Sequence, residues 1–492
     1  MKKIINEYKL KKSELNTRRL FLKTAGLSMG ALALNTILPG CTQNTVSKAP
    51  IDLNPLSPRS PHFAAKAKSV IYIHMAGAPS QFELFENKPV LNQLNGQDCP
   101  PSLLEGKRFA FIRGVPKMLG SQAQFEQVGE SGAWVSDRLP HFKQVADEVS
   151  FIRGLHTDQF NHAPAQIMMH TGSAIIGRPS LGSWATYGLG SVNQNLPGFV
   201  VLTSGGANPD AGKQVWGNGF LPSVYQGVHC RSNGDPVLFL NDPEEMPRNI
   251  RKKSIDAIND VNALTYEEFN DPETVARIAQ YEMAYRMQMS VPEVMDISTE
   301  PEYIHELYGT QPGKESFANN ALLARKLVEK GVRFIQLFDW GWDSHGVSRM
   351  GALELGFINK CRETDKPVAA LLLDLKQRGL LDETLVIWGG EFGRTPMQEN
   401  RNGVKQIYKG RDHHPSAFTI WMAGGGIKKG ASYGETDEIG YDVVSEKSSI
   451  HDVHATILNQ LGFDHEKFTF DFQGRPFRLT DVEGHVIKKI IA

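Results

Sequence analysis

Five short segments concentrate the side chains that hold metal ions or anions. Asp339-Trp340-Gly341-Trp342-Asp343-Ser344-His345-Gly346 offers carboxylates and an imidazole, and Gly389-Gly390-Glu391-Phe392-Gly393-Arg394-Thr395-Pro396 offers a carboxylate and a guanidinium. Gly410-Arg411-Asp412-His413-His414-Pro415 adds two imidazoles and a second guanidinium, and Pro79–Glu86 carries Glu83 and Glu86. Phe160-Asn161-His162-Ala163-Pro164-Ala165-Gln166 leads into a predicted helix through His170-Thr171-Gly172. Oxygen and imidazole donors together suit Zn²⁺, Mn²⁺ or a similar divalent ion. Guanidinium groups match tetrahedral oxyanions at two points, so Arg394 and Arg411 are candidate clamps for an anion. A helix N-terminus beside His162 would favour negative charge.

Each segment also has a plainer reading. Asp343 and His345 could be a loop acid and a surface histidine, although the glycines and tryptophans around them indicate a packed, shaped loop. Glu391 could serve a helix cap, but its place directly after a buried-type strand favours a ligand. One of His413 and His414 is expected to be structural. Glu83 and Glu86 are explained about as well by a solvated turn.

For these segments to meet, they must lie at one end of a sheet, where ligand sites of open α/β folds collect. The sequence predicts strands at Ser69–Met75, Phe199–Leu202, Val332–Phe338, Thr384–Trp388 and Phe418–Met422 from their β-branched and aromatic runs. Helices are predicted at Phe317–Lys330, Pro367–Arg378 and Val453–Leu461 from apolar residues at helical spacing. Alternating helices and strands imply an α/β three-layer sandwich with a largely parallel central sheet. Residues 228–312 break the rhythm with a polar stretch and a helical segment at Pro272–Met289, and are read as an insertion or cap.

The N-terminal part reads as an export signal. Asn16-Thr17-Arg18-Arg19-Leu20-Phe21-Leu22-Lys23 has the twin-arginine pattern, and the apolar run Ala25–Leu38 is too short to span a bilayer. Leu38-Pro39-Gly40-Cys41 resembles a lipoprotein processing site, which would make Cys41 the lipidated first residue of the mature chain. Residues 1–41 are therefore expected to be the signal, 42–68 a polar Pro/Ser-rich linker, and 69–492 the folded domain. The expected destination is the periplasm or cell envelope, held at a membrane by lipid. Net charge is −1 with no basic run outside the signal, which argues against a nucleic-acid partner. Cys99, Cys230 and Cys361 are widely separated and form neither a disulfide framework nor a CxxC metal knuckle. There is no HExxH, no GxSxG elbow and no GxGxxG after a strand.

Taken together, these segments resemble the domain-of-unknown-function 1501 family, placed in the alkaline phosphatase–sulfatase superfamily. The resemblance runs from Ser69 to Ile491 and is specific at Arg178-Pro179-Ser180-Leu181-Gly182-Ser183-Trp184, Asn195-Leu196-Pro197-Gly198-Phe199, Trp388–Pro396 and Gly410–Pro415. It implies an alkaline phosphatase-like sandwich with one or two divalent ions, zinc or manganese, and transfer of phosphoryl or sulfuryl groups. The matching ligand positions for one ion are Asp343, His345 and His413. The Asp-His pair expected for the other ion is replaced by Glu391-Phe392, and Ala76 and Gly77 stand where an acid is expected after the first strand. The nucleophile position falls on His162, before Thr171-Gly172. The sulfatase Cys/Ser-x-Pro-x-Arg motif is missing there.

Two functions remain open from sequence. One is a metal-dependent hydrolase of phosphate or sulfate esters, with a phosphorylated or sulfated glycan among the anionic substrates. The other is a lipid-anchored binding or assembly protein that keeps the fold without catalysis. His162 itself has three readings: a metal ligand, a hydrogen-bonded structural residue, or a covalent nucleophile.

Overall fold

The computed structural model describes residues 54–492 except 232–235, 238–246, 270, 402 and 404–405. The expected signal with Arg18 and Arg19, and the expected lipidation site Cys41, lie outside the described residues.

Among the described residues the central sheet has nine strands, here numbered β1 (Ser69–Ala76), β2 (Val149–His156), β3 (Phe199–Ser204), β4 (Val228–Cys230), β5 (Phe334–Trp340), β6 (Thr384–Gly389), β7 (Phe418–Ala423), β8 (Ser432–Tyr433) and β9 (Ser448–Ser449). Their order is β8-β2-β7-β6-β1-β5-β3-β4, with β9 beside β2. All neighbours are parallel except β7, which runs antiparallel to both β2 and β6. β1 is buried at every position, as befits a parallel strand covered on both faces.

The two covering layers follow from the direction of the β5 side chains. Gln336 bonds to His170 of helix α1 (His162–Thr171), and Phe334 packs on Phe199, whose ring abuts Gly182 of α2 (Leu181–Leu189). A Cβ on Gly182 would sit 2.5 Å from that ring, so the position requires glycine. On the opposite face Asp339 meets Lys360 of α4 (Gly356–Gln377), which packs against α3 (Phe317–Glu329). The expected three-layer α/β sandwich with a largely parallel sheet is what the chain forms.

The register fixes where chemistry can occur. Ala76 is opposite Trp340, His74 is opposite Gly389, and Ser204 is opposite Asp339, so β1, β3, β5 and β6 end at one edge. The reversal of β7 brings its first residue, Phe418, to that edge beside Leu155. The segment before β7 therefore meets the loops that follow the other strands.

Some elements differ from expectation. β2 was not among the predicted strands. Helix α4 begins at Gly356, eleven residues before Pro367, and passes through that proline. The carbonyl that loses its intrahelical donor belongs to Glu363, which is exposed, so the break is tolerated at the surface. Residues 56–67, expected to be part of a linker, carry backbone hydrogen bonds from Arg59 to Leu189 and from Lys66 and Ala67 to Gln460. The described parts of 242–281 form, with residues 54–55, a compact unit of their own containing the helix Arg248–Phe269. No described helix is long and apolar enough to cross a membrane. Cys99, Cys230 and Cys361 are buried and unpaired.

Candidate metal centre

Close backbone approaches lock the edge loops together. A Cβ on Gly77, just past β1, would lie 2.5 Å from the backbone nitrogen of Asp343, and Gly77 has φ 107°. A Cβ on Gly410 would lie 2.0 Å from the His345 carbonyl carbon, and Arg411 N–H donates to Ser344 O at 3.0 Å. Gly393–Arg394 and His413–His414 form a two-residue antiparallel ladder. The Asp412 carboxylate accepts backbone N–H groups of Phe111, Ile112 and His413, which fixes the chain on the approach to His413.

These constraints bring His162, Asp343, His345 and His413 into one group able to hold a metal ion. Asp343 Oδ1 lies 2.8 Å from His345 Nε2, 3.3 Å from His162 Nε2 and 3.5 Å from His413 Nε2. His345 Nε2 and His413 Nε2 are 3.1 Å apart. The far nitrogen of each ring faces an acceptor: His162 Nδ1 to Glu391 Oε1 at 2.7 Å, His413 Nδ1 to Phe160 O at 2.6 Å, and His345 Nδ1 to Glu399. An Nδ1–H donating to an acceptor leaves the Nε2 lone pair bare in a neutral imidazole. Three bare Nε2 atoms and a carboxylate then face a common point. Buried His162 Nε2 has no hydrogen-bond partner. The donor set and its acceptor backing are those that tetrahedral zinc and related divalent ions use.

Protonation tells the same story. Burial favours neutral Asp343, but Arg394 and the three histidines hold its carboxyl far below the usual carboxylate range. Burial lowers His162, but the carboxylates of Asp343 and Glu391 beside it win and raise it to about 9. His345 is raised, since Asp343 and Glu399 outweigh its burial. His413 is pushed down to about 4, by burial first and then by Arg394 and its imidazole neighbours, against the pull of Asp343. In the protein without metal, protons thus occupy part of the space that a cation would neutralise. Asp343 is the most open of the donors, with 35% of its side chain exposed against 17% for His162, 9% for His345 and 3% for His413.

Several candidate residues take other places. Glu391, read as a ligand, lies behind His162 and outside the group, because Gly77 N–H, Gln166 and His162 Nδ1 all converge on its Oε1. Arg394, read as an anion clamp, is buried and spends its donors on Ala78 O, Arg411 O, Gly77 O and Asp343; it anchors the carboxylate. Arg411, the other clamp candidate, has no donor left for an anion: its N–H groups go to Glu83, Leu119 O, Gly120 O and Thr395 O. Glu83 is therefore a buried ion-pair partner, not a solvated turn residue, and Glu86 likewise meets Arg153 at 2.6 Å. His414 is structural, with Nε2 2.5 Å from Tyr441 O. Glu399 escaped the sequence reading. It sits in the polar stretch Gln398-Glu399-Asn400-Arg401, which has the composition of an exposed loop, yet it is buried against His345.

A largely parallel α/β sheet carrying a potential metal-binding group at its carboxyl edge is the class that fold and site define. Within it, the chain belongs to the family described as "Protein of unknown function (DUF1501)", which matches residues 67–491. No curated protein matches the chain. Solved structures to which it is similar include alkaline phosphatase from the Antarctic bacterium TAB5, with 10% identity, TM-score 0.29, and coverage of 73% of this chain and 92% of that one. The PsFucS1 sulfatase from Pseudoalteromonas sp. has 11% identity and TM-score 0.35, covering 83% and 69%. The lipoteichoic acid synthase LtaP from Listeria monocytogenes has 10% identity and TM-score 0.30, covering 84% and 77%.

Proposed function

We propose that this chain is a metal-dependent hydrolase of phosphate or sulfate esters, working in the cell envelope after twin-arginine export and lipid attachment at Cys41. The observation that carries the reading is the convergence of three Nε2 atoms on Asp343 Oδ1, each ring backed by an acceptor at Nδ1. His162, Asp343, His345 and His413 would hold a zinc or manganese ion. Such an ion supplies Lewis-acid polarisation of an ester oxygen and activation of water. The chain's own groups do the positioning. Arg394 fixes Asp343, Glu391 and Glu399 orient two of the imidazoles, and the open side of Asp343 admits the ester. Helix α1 starts at His162 with no side chain capping it, so its first N–H groups favour an anionic ester there. Among the readings of His162, the ligand role fits best, because Nε2 faces the donor group and Nδ1 is already engaged.

The decisive measurement is elemental analysis of protein exported in its native host, with a panel of aryl phosphate and aryl sulfate esters. Bound zinc or manganese with turnover is expected. Exported protein without metal would overturn the reading. The double change Arg18→Lys, Arg19→Lys should trap precursor in the cytoplasm, and Cys41→Ala should abolish labelling by a fatty-acid analogue; normal export or labelling would refute those parts.

One observation favours a second reading, a non-catalytic binding or assembly protein. Arg411 has every N–H committed to acceptors within the protein, and Arg394 is buried with its Nε and Nη2 donors and one Nη1 donor so committed, which leaves little of either guanidinium to grip a substrate anion. Metal without turnover on any ester of the panel would support it.

A further inference from the structure

Glu391 is a fully buried carboxylate with no lysine or arginine partner among the described residues, and its charge rests on N–H groups alone. Its Oε1 accepts from Gly77 N–H at 3.0 Å, from Gln166 at 3.1 Å and from His162 Nδ1 at 2.7 Å. Its Oε2 faces His74 Nε2 at 3.3 Å, a contact outside hydrogen-bond geometry, and both atoms are buried with no hydrogen-bond partner. His74 Nδ1 lies 3.2 Å from His170 Nε2, and His170 Nδ1 lies 2.8 Å from Gln336 Nε2. His74, His170 and Gln336 are all buried between β1, β5 and α1.

The direction of this row follows from its far end. Gln336 Nε2 also lies 3.3 Å from Val215 O, a pure acceptor, so the amide nitrogen is the atom that faces His170. An amide nitrogen only donates, so His170 Nδ1 must accept, which places the His170 proton on Nε2. His170 Nε2–H then donates to His74 Nδ1, and His74 is left with its proton on Nε2, pointing at Glu391. Each bond leaves one choice for the next. Burial keeps His170 neutral, well below the ordinary histidine range, which is what a ring that accepts at one nitrogen and donates at the other requires.

We propose that Gln336, His170 and His74 form a one-way hydrogen-bond chain that orients Glu391, and through it fixes His162 with its proton on Nδ1 and its Nε2 lone pair toward the metal centre. Glu391 is on this view a positioning residue and not a ligand of a second ion. The row also accounts for an acid buried without a lysine or arginine partner, a state that costs several kcal/mol unless hydrogen bonds replace its hydration. The inference rests on the proposed metal centre for its consequence, though not for its direction.

The experiment uses the full folded domain, stripped of metal and titrated with zinc against a chelator. His74→Phe keeps the ring and removes the donor. It should weaken zinc binding by roughly tenfold, the lower edge of the range for groups directly behind a ligand. His74→Gln places an amide N–H where Nε2 stood and should restore affinity to within a few-fold of the parent. A packing role predicts the reverse order, so Phe tolerated better than Gln overturns the proposal. Long-range ¹H–¹⁵N spectra, taken with and without zinc, should show His74 and His170 each with a proton on Nε2 and a bare Nδ1. A proton on Nδ1 of either ring overturns the chain. If the parent protein binds no zinc or manganese, the metal-centre reading fails, while the spectra still decide the direction of the row.

Discussion

Two groups of buried charge lie among the loops at the carboxyl edge of the sheet, and they are built on opposite plans. At Glu83–Arg411 and Glu86–Arg153 each carboxylate closes on a guanidinium; the remaining Arg411 donors go to backbone carbonyls, and the Thr419 and Thr436 hydroxyls donate to Glu86. At Asp343 one guanidinium, Arg394, is joined by three imidazoles; those of His345 and His413 turn their Nε2 atoms toward each other, and buried His162 Nε2 is left without a hydrogen-bond partner. In the closed group Arg411 engages all its N–H donors within the protein, so it stabilises loop geometry and has nothing to offer a ligand. The open group satisfies its outer atoms only, and the residual demand at its centre is for positive charge. Residue type does not separate the two, since both use acids and bases from the same loops. What separates them is whether hydrogen-bond valence is exhausted.

The comparison can be broken most sharply at the open group. Replacing Asp343, His345 and His413 together by Ala should abolish metal binding, read by elemental analysis; retained metal would show that the donors lie elsewhere. His162→Ala should lower metal stoichiometry while circular dichroism stays native. Lost turnover with unchanged metal would instead favour a nucleophile.

At the closed group the readout should change from binding to stability. Arg411→Met leaves Glu83 buried without its partner and should cost about 3–5 kcal/mol in chemical denaturation. Metal binding by the folded fraction should survive. Loss of metal at unchanged stability would mean that Arg411 serves the site after all.

The groups should also differ in the sign of their pH response. In metal-stripped protein His162 is held up at about 9 against an unfolded value of 6.5, so its stabilisation is full below 6.5 and is lost as pH rises through about 9. His454, buried under helix α1, is pushed down to about 3 by burial, so the unfolded chain binds its proton first and stability falls as pH drops from 6.5 toward 3. Glu86 adds to the acid side: Arg153 and Lys88 overcome its burial and keep it below 4.5, a contribution lost as pH falls further. Thermal midpoints across pH should therefore fall on both sides, and zinc should flatten the alkaline limb only. An unaltered alkaline limb with zinc bound would remove His162 from the centre. The smallest effect is expected for His414→Ala, which frees the Tyr441 carbonyl and should cost roughly 1–3 kcal/mol with no change in metal.

Much of this was readable before the fold was known. Asp343, His345 and His413 follow or precede strands that hydrophobic runs marked clearly, and His162 stands at a helix start that the sequence also marked. The closed group was not readable, because the acceptors of Arg411 come from Glu83, Leu119, Gly120 and Thr395, which only the folded loops bring together. Arg394 and Arg411 looked like anion clamps because guanidinium chemistry is the same whether it meets a substrate or a buried acid. His74 and His170 carry no functional signal in the sequence for a related reason: within an apolar strand and a short helix, a lone histidine has no periodic pattern.

The reversed direction of β7 has a consequence for assembly during synthesis. His162 meets Glu391 across 229 residues, and Phe111 meets Asp412 across 301. No ribosome-bound fragment ending before β7 can present all four donors, since His413 becomes fixed only when that last antiparallel strand has entered between β2 and β6. Completion of the four-donor group is thereby deferred until the fold is nearly complete.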